Sequence, residues 1–523
     1  MLSEEKEVLG YIKDAFELRA QELYKPAIEM LYKALSMDND NVEVLFQLGE
    51  LYSLMHNYPR AIGYLEQVLE QNTNHKDTLK LIQKIYYKEE KFEDALQYAE
   101  RIFSIEKNSE NLKEIVKLTG KLHQTEKLFT YENSEYCNHE VAYILAEELY
   151  KLGKINEAKK LLEKYPSEDS TKILLGKIYF DEGDLDKSRE IFSQFPKTSE
   201  NPDALNYQGL FALDDMNFVE AIKCFSKATS LNKNNPIYFY NLGNAYFFNG
   251  WMDEAQKSYS KAIYLSPDNM DYRYALAYLY FETQSFDKCK KEVDAILSSN
   301  KSHAQAKVLR ALLLNNENEF MQAKIILEDN IKNGFDDEFT LVSLGKTYNL
   351  LDMFEKAEKI LLQVLERNPQ NLNCISDLAD VYIKEKLFDK ALELAQKTID
   401  LNPNYIYGYV LGARIAYLKQ DWDKTKEFAQ EALSLDMNCA EGYYYLALVR
   451  FNEEDFEEAI ECMKRAITHD VTNPMYYAEM SKIYKAKNDI KTALEYISEA
   501  ESMDNSTEYK LMYKELATLN RKQ

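Results

Sequence analysis

The chain has 523 residues, 46% of them hydrophobic, with only 15 glycines and 10 prolines. Such a composition supports a large core and is too poor in turn formers for many strands, so long helices are expected. Its 64 basic and 88 acidic residues leave a net charge of −24, which repels phosphate backbones and anionic lipid and sets nucleic acid and membrane surfaces aside as partners.

The first residues, MLSEEKEVLGYIKDAFELRAQ, are acidic and helical, where a secretory leader is basic and then continuously apolar. No run of about 18 apolar residues follows, and a soluble, cytoplasmic protein is expected. Three helical pairs are predicted over 8–109, starting near Val8, Val42 and Lys76, the last two marked by QLGELY and FEDALQYAERIF. The stretch 110–138 loses the pattern, as a decayed unit with a shortened second helix or as a hinge. Two shortened pairs are expected over 139–201, nine units in register over 202–507 and a capping helix over 508–523. Six cysteines (Cys137, Cys224, Cys289, Cys374, Cys439, Cys462) are widely spaced without a CxxC, which points to reduced thiols rather than to a disulfide framework or a zinc knuckle.

The repeat has a fixed period of 34 residues. Gly243 in NLGNAY and Gly345 in SLGKTY lie 102 residues apart, three periods, with Ala277 at the first of the two copies between them. Counting from Pro236 as position 1, a small residue returns at position 20 as Ala255, Ala323, Ala357, Ala391, Ala459 and Ala493, with Cys289 and Thr425 in the remaining slots. Position 7 is large in most copies (Leu242, Leu276, Leu344, Leu378), position 11 is often tyrosine (Tyr246, Tyr280, Tyr348, Tyr382), and position 32 is Pro267, Pro369 or Pro403. Positions 4, 7, 8 and 11 form one stripe of a first helix and positions 20, 24, 27 and 28 one stripe of a second. Small residues at 8 and 20 let the two backbones approach, and proline closes one helix or opens the next.

These residues resemble the tetratricopeptide repeat family, with Phe239, Leu242, Gly243, Tyr246, Ala255, Tyr259, Ala262 and Pro267 matching its pattern in one copy. The resemblance implies an all-α fold, a right-handed α-solenoid superhelix of helix–turn–helix units. It further implies that positions 2, 5, 9, 12 and 13 of the first helices line a concave groove. Around Pro236 and Met270 those slots hold Tyr240, Asn244, Phe247 and Phe248, then Tyr274, Tyr278 and Phe281, which are the candidate partner-binding residues. A second group uses Tyr407, Tyr417, Tyr444 and Phe451. Two specialisations of the family are not met. The carboxylate clamp finds Asn244, but Tyr240 and Ala275 replace its lysine and second asparagine; the asparagine ladder finds only Asn241.

Catalytic, metal and cofactor motifs are missing from the sequence: there is no P-loop, GxSxG, HExxH or dinucleotide fingerprint, and the six histidines have no i, i+4 partner. MDNDN at 37–41 lacks the glycine and distal glutamate of a calcium loop. No catalytic residue, metal site or cofactor is therefore assigned. The expected function is a non-enzymatic scaffold or adaptor that holds a peptide segment or helix of another protein in its groove. The alternatives are a self-associating structural protein and, third, a regulatory subunit of an enzyme complex.

Overall fold

The computed structural model describes residues 2–166, 168–196 and 199–521; Ser167, Lys197, Thr198, Lys522 and Gln523, which fall in the expected 139–201 and 508–523 stretches, lie outside the described residues. The chain forms two compact units, residues 1–258 and 259–523, and among the described residues all regular structure is helical.

The first unit contains α1 (Leu2–Ala20), α2 (Tyr24–Met37), α3 (Val42–Leu54), α4 (Tyr58–Gln71), α5 (Lys76–Lys88), α6 (Phe92–Ile105), α7 (Ser109–Lys121) and α8 (Thr125–Tyr131). It continues with α9 (His139–Lys151), α10 (Ile155–Leu162), α11 (Asp169–Asp181), α12 (Leu185–Ser193), α13 (Pro202–Asp214), α14 (Phe218–Leu231) and α15 (Pro236–Phe248). The division falls within α16 (Met252–Leu265). The second unit holds α17 (Met270–Glu282), α18 (Phe286–Ser299), α19 (Ala304–Asn316), α20 (Phe320–Lys332), α21 (Glu338–Leu350), α22 (Phe354–Arg367), α23 (Leu372–Lys384) and α24 (Phe388–Leu401). Then follow α25 (Ile406–Leu418), α26 (Trp422–Leu435), α27 (Ala440–Asn452), α28 (Phe456–His469), α29 (Pro474–Ala486), α30 (Ile490–Met503) and α31 (Thr507–Asn520). Odd-numbered helices are the first helices of the repeats, even-numbered ones the second.

Each regular repeat is made by the same few contacts. The position-24 side chain of the second helix is driven onto the small position-8 residue of its own first helix. A Cβ on Gly345 would stand 2.6 Å from Leu361, one on Gly209 2.6 Å from Phe225, and one on Gly49 2.5 Å from Leu65. Leu65, Phe225 and Leu361 are fully buried there. Where position 24 shrinks to Ala429, the neighbouring Phe428 packs on Gly412 instead. Position 11 supplies a second clasp. The Tyr348 and Tyr382 hydroxyls each donate to a glutamate on the preceding second helix, Glu328 and Glu358, at 2.8 Å. Lys356 and Lys390 lie over the same two rings, a cation–π contact within the repeat.

Helix ends are set by backbone chemistry. Asn201, Asn235, Asn269 and Asn473 cap first helices by accepting backbone N–H bonds. Asn232, Asn300, Asn368, Asn402, Asp436 and Asp470 each accept the N–H two residues on, the Asx turn that joins repeats. Every first helix from α13 to α29 ends on a left-handed residue at a spacing of 34, running from Met216 through Gly250 to Asn488 with φ between 54° and 82°. Only Gly250 is a glycine among them.

Within the first unit the pattern contracts without breaking. The 110–138 stretch still forms a helix pair, α7 and α8, but α8 has only seven residues and α7 packs directly on α9. Lys113 pairs with Glu110 and Glu140, tying α7 to α9. Leu112, Val116 and Leu128 share one core with Val141, Leu145 and Ile178 of the two following pairs. At the other terminus α31 buries Leu516 against α30 and leaves Leu511 exposed. Helix α1 starts at Leu2, earlier than the Val8 expected, because LSEEKE contains nothing that stops a helix.

An L-residue in the left-handed region costs roughly 1–2 kcal/mol. Met216 is 78% exposed, so Met216→Gly relieves that cost without losing packing and is expected to raise unfolding stability by roughly 0.5–1 kcal/mol. Gly250→Ala should lower it by about 1 kcal/mol. Urea denaturation of the two variants against the parent chain measures both signs.

Candidate partner-binding face

Helix α15 separates two sets of side chains. Tyr238, Asn241, Leu242 and Ala245 are buried against α13 and α14. Tyr238 donates its hydroxyl to Asp203 at 2.5 Å, and the Asn241 amide donates to Asn206 at 2.8 Å. Asn241 is therefore engaged inside the stack. Tyr240, Asn244, Phe247 and Phe248 follow at i, i+4, i+7 and i+8 along a different stripe; the first three are half-buried and Phe248 is 59% exposed. Phe248 meets the edge of Phe247 at 5.5 Å and stacks on Phe218 at 6.0 Å.

In the second unit, Tyr274, Tyr278 and Phe281 make the equivalent stripe of α17, all half-buried. Here the aromatics also serve the fold. Tyr274 approaches Tyr278 at 6.3 Å and His303 at 6.0 Å, and Tyr278 reaches Phe339 of α21, two repeats on, edge to face at 6.1 Å. Burial, with Glu282 close by, pushes the Tyr278 hydroxyl up to about 12. Phe281 packs on Phe286 at the turn. The α15 stripe belongs to the first unit and the α17 stripe to the second.

The second expected group divides. Tyr407 is 64% exposed and Tyr417 and Phe451 are half-buried, but Tyr444 is only 7% exposed. Its ring is covered by Tyr445 at 5.0 Å and Tyr476 at 5.2 Å. The slot is closed by one ring of the same helix and one of the next repeat.

One charged residue of this face gave no sequence signal beyond an aspartate among apolar neighbours in SDLAD. Asp377 of α23 has its carboxyl pushed up to about 6, chiefly because the stack withdraws it from water, with Asp380 adding to the rise and Lys346 opposing it.

The remaining candidate chemistry is used structurally. His75 and His303 cap α5 and α19 through Nδ1, His56 and His123 occupy left-handed turn positions, His139 opens α9, and His469 stacks on Tyr443. All six cysteines are free thiols, and burial pushes Cys289 and Cys374 up to about 12. Among the described residues no helix is long and apolar enough to cross a membrane. Where α12 is cut to nine residues, a cavity of about 350 Å³ opens beside Phe192, Phe211 and Gln208. Its cation, Arg189, is already held by Asp214 and Asp215.

Comparison with known proteins agrees with this anatomy. Tetratricopeptide repeat patterns match residues 217–250, 237–269 and 440–473. The pattern of anaphase-promoting complex, cyclosome, subunit 3 matches 20–102, and that of the Psidin N-terminal TPR repeats region matches 271–409. The chain belongs to the tetratricopeptide repeat family, an all-α solenoid of helix–turn–helix units. Similar solved structures include the APC/C hetero-tetramer Cut9–Hcn1, at 12% identity over 91% of this chain and 96% of that one, TM-score 0.46. Yeast Tom70 follows at 18% identity over 76% and 92%, TM-score 0.33. A monomeric IFIT1 mutant with Gppp-AAAA matches at 15% over 74% and 95%, TM-score 0.43. No curated protein matches the sequence.

Because the Asp377 carboxyl is raised in the folded chain, its protonated form is the one that folding favours, so its penalty is absent below the unfolded value near 4 and complete above about 6. Asp377→Asn is therefore expected to stabilise the chain at pH 8 by roughly 1–3 kcal/mol, with the gain vanishing between pH 6 and pH 4. Urea denaturation of both proteins across that range reads the difference.

Proposed function

We propose that the protein is a non-enzymatic cytoplasmic scaffold whose first helices hold a segment of another protein. The observation that carries this reading is the division of α15 into a buried packing set and a separate aromatic stripe ending in the exposed Phe248. Repeat stacking buries Leu242 and Ala245, while the other stripe ends in Phe248, open at 59%. Aromatic side chains offer apolar area at small entropic cost, and an amide between them can bond a partner's backbone. The same logic places Tyr274, Tyr278 and Phe281 in the receptor, with part of each ring committed to the fold.

A scaffold rather than an enzyme is supported by where the reactive groups lie: the histidines cap, turn or stack, and the Cys289 and Cys374 thiols are buried with raised pKa values. The charge of −24 favours protein over nucleic acid as the ligand.

Alanine at Tyr240, Phe247 and Tyr274 together is expected to abolish recovery of a partner in affinity purification from cell extract while leaving the helical circular dichroism intact. Undiminished recovery would remove these residues from the site. Light scattering across micromolar concentrations should give a monomer; concentration-dependent growth would favour self-association instead.

A further inference from the structure

Two neighbouring first helices of the first unit, α5 and α7, carry lysine at every fourth residue. Counting each helix from its first residue, Lys80, Lys84 and Lys88 of α5 and Lys113, Lys117 and Lys121 of α7 fill positions 5, 9 and 13. Tyr240, Asn244 and Phe248 hold the same positions in α15. Four-residue spacing keeps each row on one side of its helix, and all but the half-buried Lys113 are exposed. Helix α5 has four lysines against one aspartate and α7 three lysines against two glutamates, in a chain of net charge −24. By contrast, α13 and α15 have no basic residue.

The fold uses only part of this charge. Lys117 is paired with Glu114 at 2.7 Å, and Lys113 with Glu110 and Glu140. Among the described residues Lys80, Lys84, Lys88 and Lys121 form no ion pair. Lys121 lies instead over the rings of Tyr87 at 5.7 Å and Phe92 at 5.1 Å, which brings the α7 row against the end of α5. A cavity of about 550 Å³ opens there, lined by Lys117, Lys121, His123 and Lys151. Its carboxylates, Glu147 and Glu148, are already held by Lys151 at 3.1 and 2.8 Å. An ammonium has three N–H donors, so Lys121 keeps donors for an acceptor that enters the cavity. At physiological ionic strength exposed charges are screened beyond about 8 Å, so an entering group responds to these lysines and not to the acidity of the whole chain.

We propose that the α5–α7 face receives an acidic segment of the captured protein, with side-chain carboxylates on Lys84 and Lys88 and one more entering the cavity to meet Lys121. Lysines four residues apart lie about 6 Å apart along a helix, close to the spacing of about 7 Å between alternate residues of an extended chain. Aspartate or glutamate at every second position therefore matches a row. Because the lysines form rows and do not converge on one point, side-chain carboxylates suffice and a free C-terminus is not needed. The assignment rests on capture of a partner by the first helices and specifies the charge of what the first unit receives.

Fluorescence anisotropy of the intact chain tests this with a labelled, C-terminally amidated peptide carrying glutamate at every second position in a glycine–serine background. The glutamine version of the peptide and an oligouridylate of equal charge serve as comparisons. The glutamate peptide is expected to bind at least tenfold more tightly than either. Exposed ion pairs contribute modestly, so Lys84→Gln, Lys88→Gln and Lys121→Gln should each weaken binding about threefold, and the three together roughly thirtyfold. The charge-matched control Lys291→Gln, Lys424→Gln and Lys464→Gln, at exposed positions of the second helices α18, α26 and α28, should leave binding unchanged. Equal loss in that control, no loss in the triple site variant, no preference for glutamate over glutamine, or an oligouridylate that binds as tightly as the glutamate peptide would overturn the proposal. If the intact chain still recovers a partner from extract while the peptides behave in one of those ways, the acidic-segment assignment fails alone; if no partner is recovered at all, the scaffold reading fails with it.

Discussion

The repeat depends on one contact: a side chain of the second helix pressed onto a position of its own first helix that has almost no side chain. Gly345 under Leu361 and Gly209 under Phe225 set how close the two backbones come. That closeness in turn fixes where the Tyr348 and Tyr382 hydroxyls reach, namely Glu328 and Glu358 on the preceding second helix. Contacts within a repeat and with its neighbours are thus sufficient to build each unit, and stability accumulates along the chain rather than in one centre. Because the packing uses one stripe of each helix, the other stripe of the first helix is left to chemistry of its own.

Much of this could be read from residues alone. The 34-residue period, the small residues at positions 8 and 20 and the prolines at position 32 are constraints that admit few side chains, so they recur visibly. The turn at position 15 was not legible in the same way. Its left-handed backbone is filled by Met216, Gln284, Lys386 and Glu454 as well as by Gly250, because the six-residue hydrogen-bonded closure, as from Asn217 N–H to the Ala212 carbonyl at 2.8 Å, overrides the preference of the residue. The Asx turns at Asn232, Asn368 and Asp470 were likewise hidden among many polar residues.

The candidate site was legible as a set of slots and less so as a surface. Phe248 and Tyr407 lie open at slots the periodicity leaves free, whereas Tyr444 occupies an equivalent slot and is closed by Tyr476 and Tyr445. Whether such a slot is open depends on the size of residues one repeat further on, a relation that periodicity does not carry. Asp377 was missed for a related reason: its cost comes from the depth at which α23 places it. The chain is rich in tyrosine, with 40 residues, and the structure sorts them by hydroxyl. Those bonded to glutamate or aspartate, such as Tyr238, Tyr348 and Tyr382, hold the repeats together.

Site-specific photo-cross-linking tests the central claim, that first helices select the partner while second helices build the stack. A photoreactive residue is placed in turn at Phe248 and Tyr407, exposed on first helices, and at Ile325 and Leu362, exposed on second helices. Partner adducts are predicted from the first pair and not from the second. Adducts only from Ile325 and Leu362, or equally from all four positions, would contradict the account.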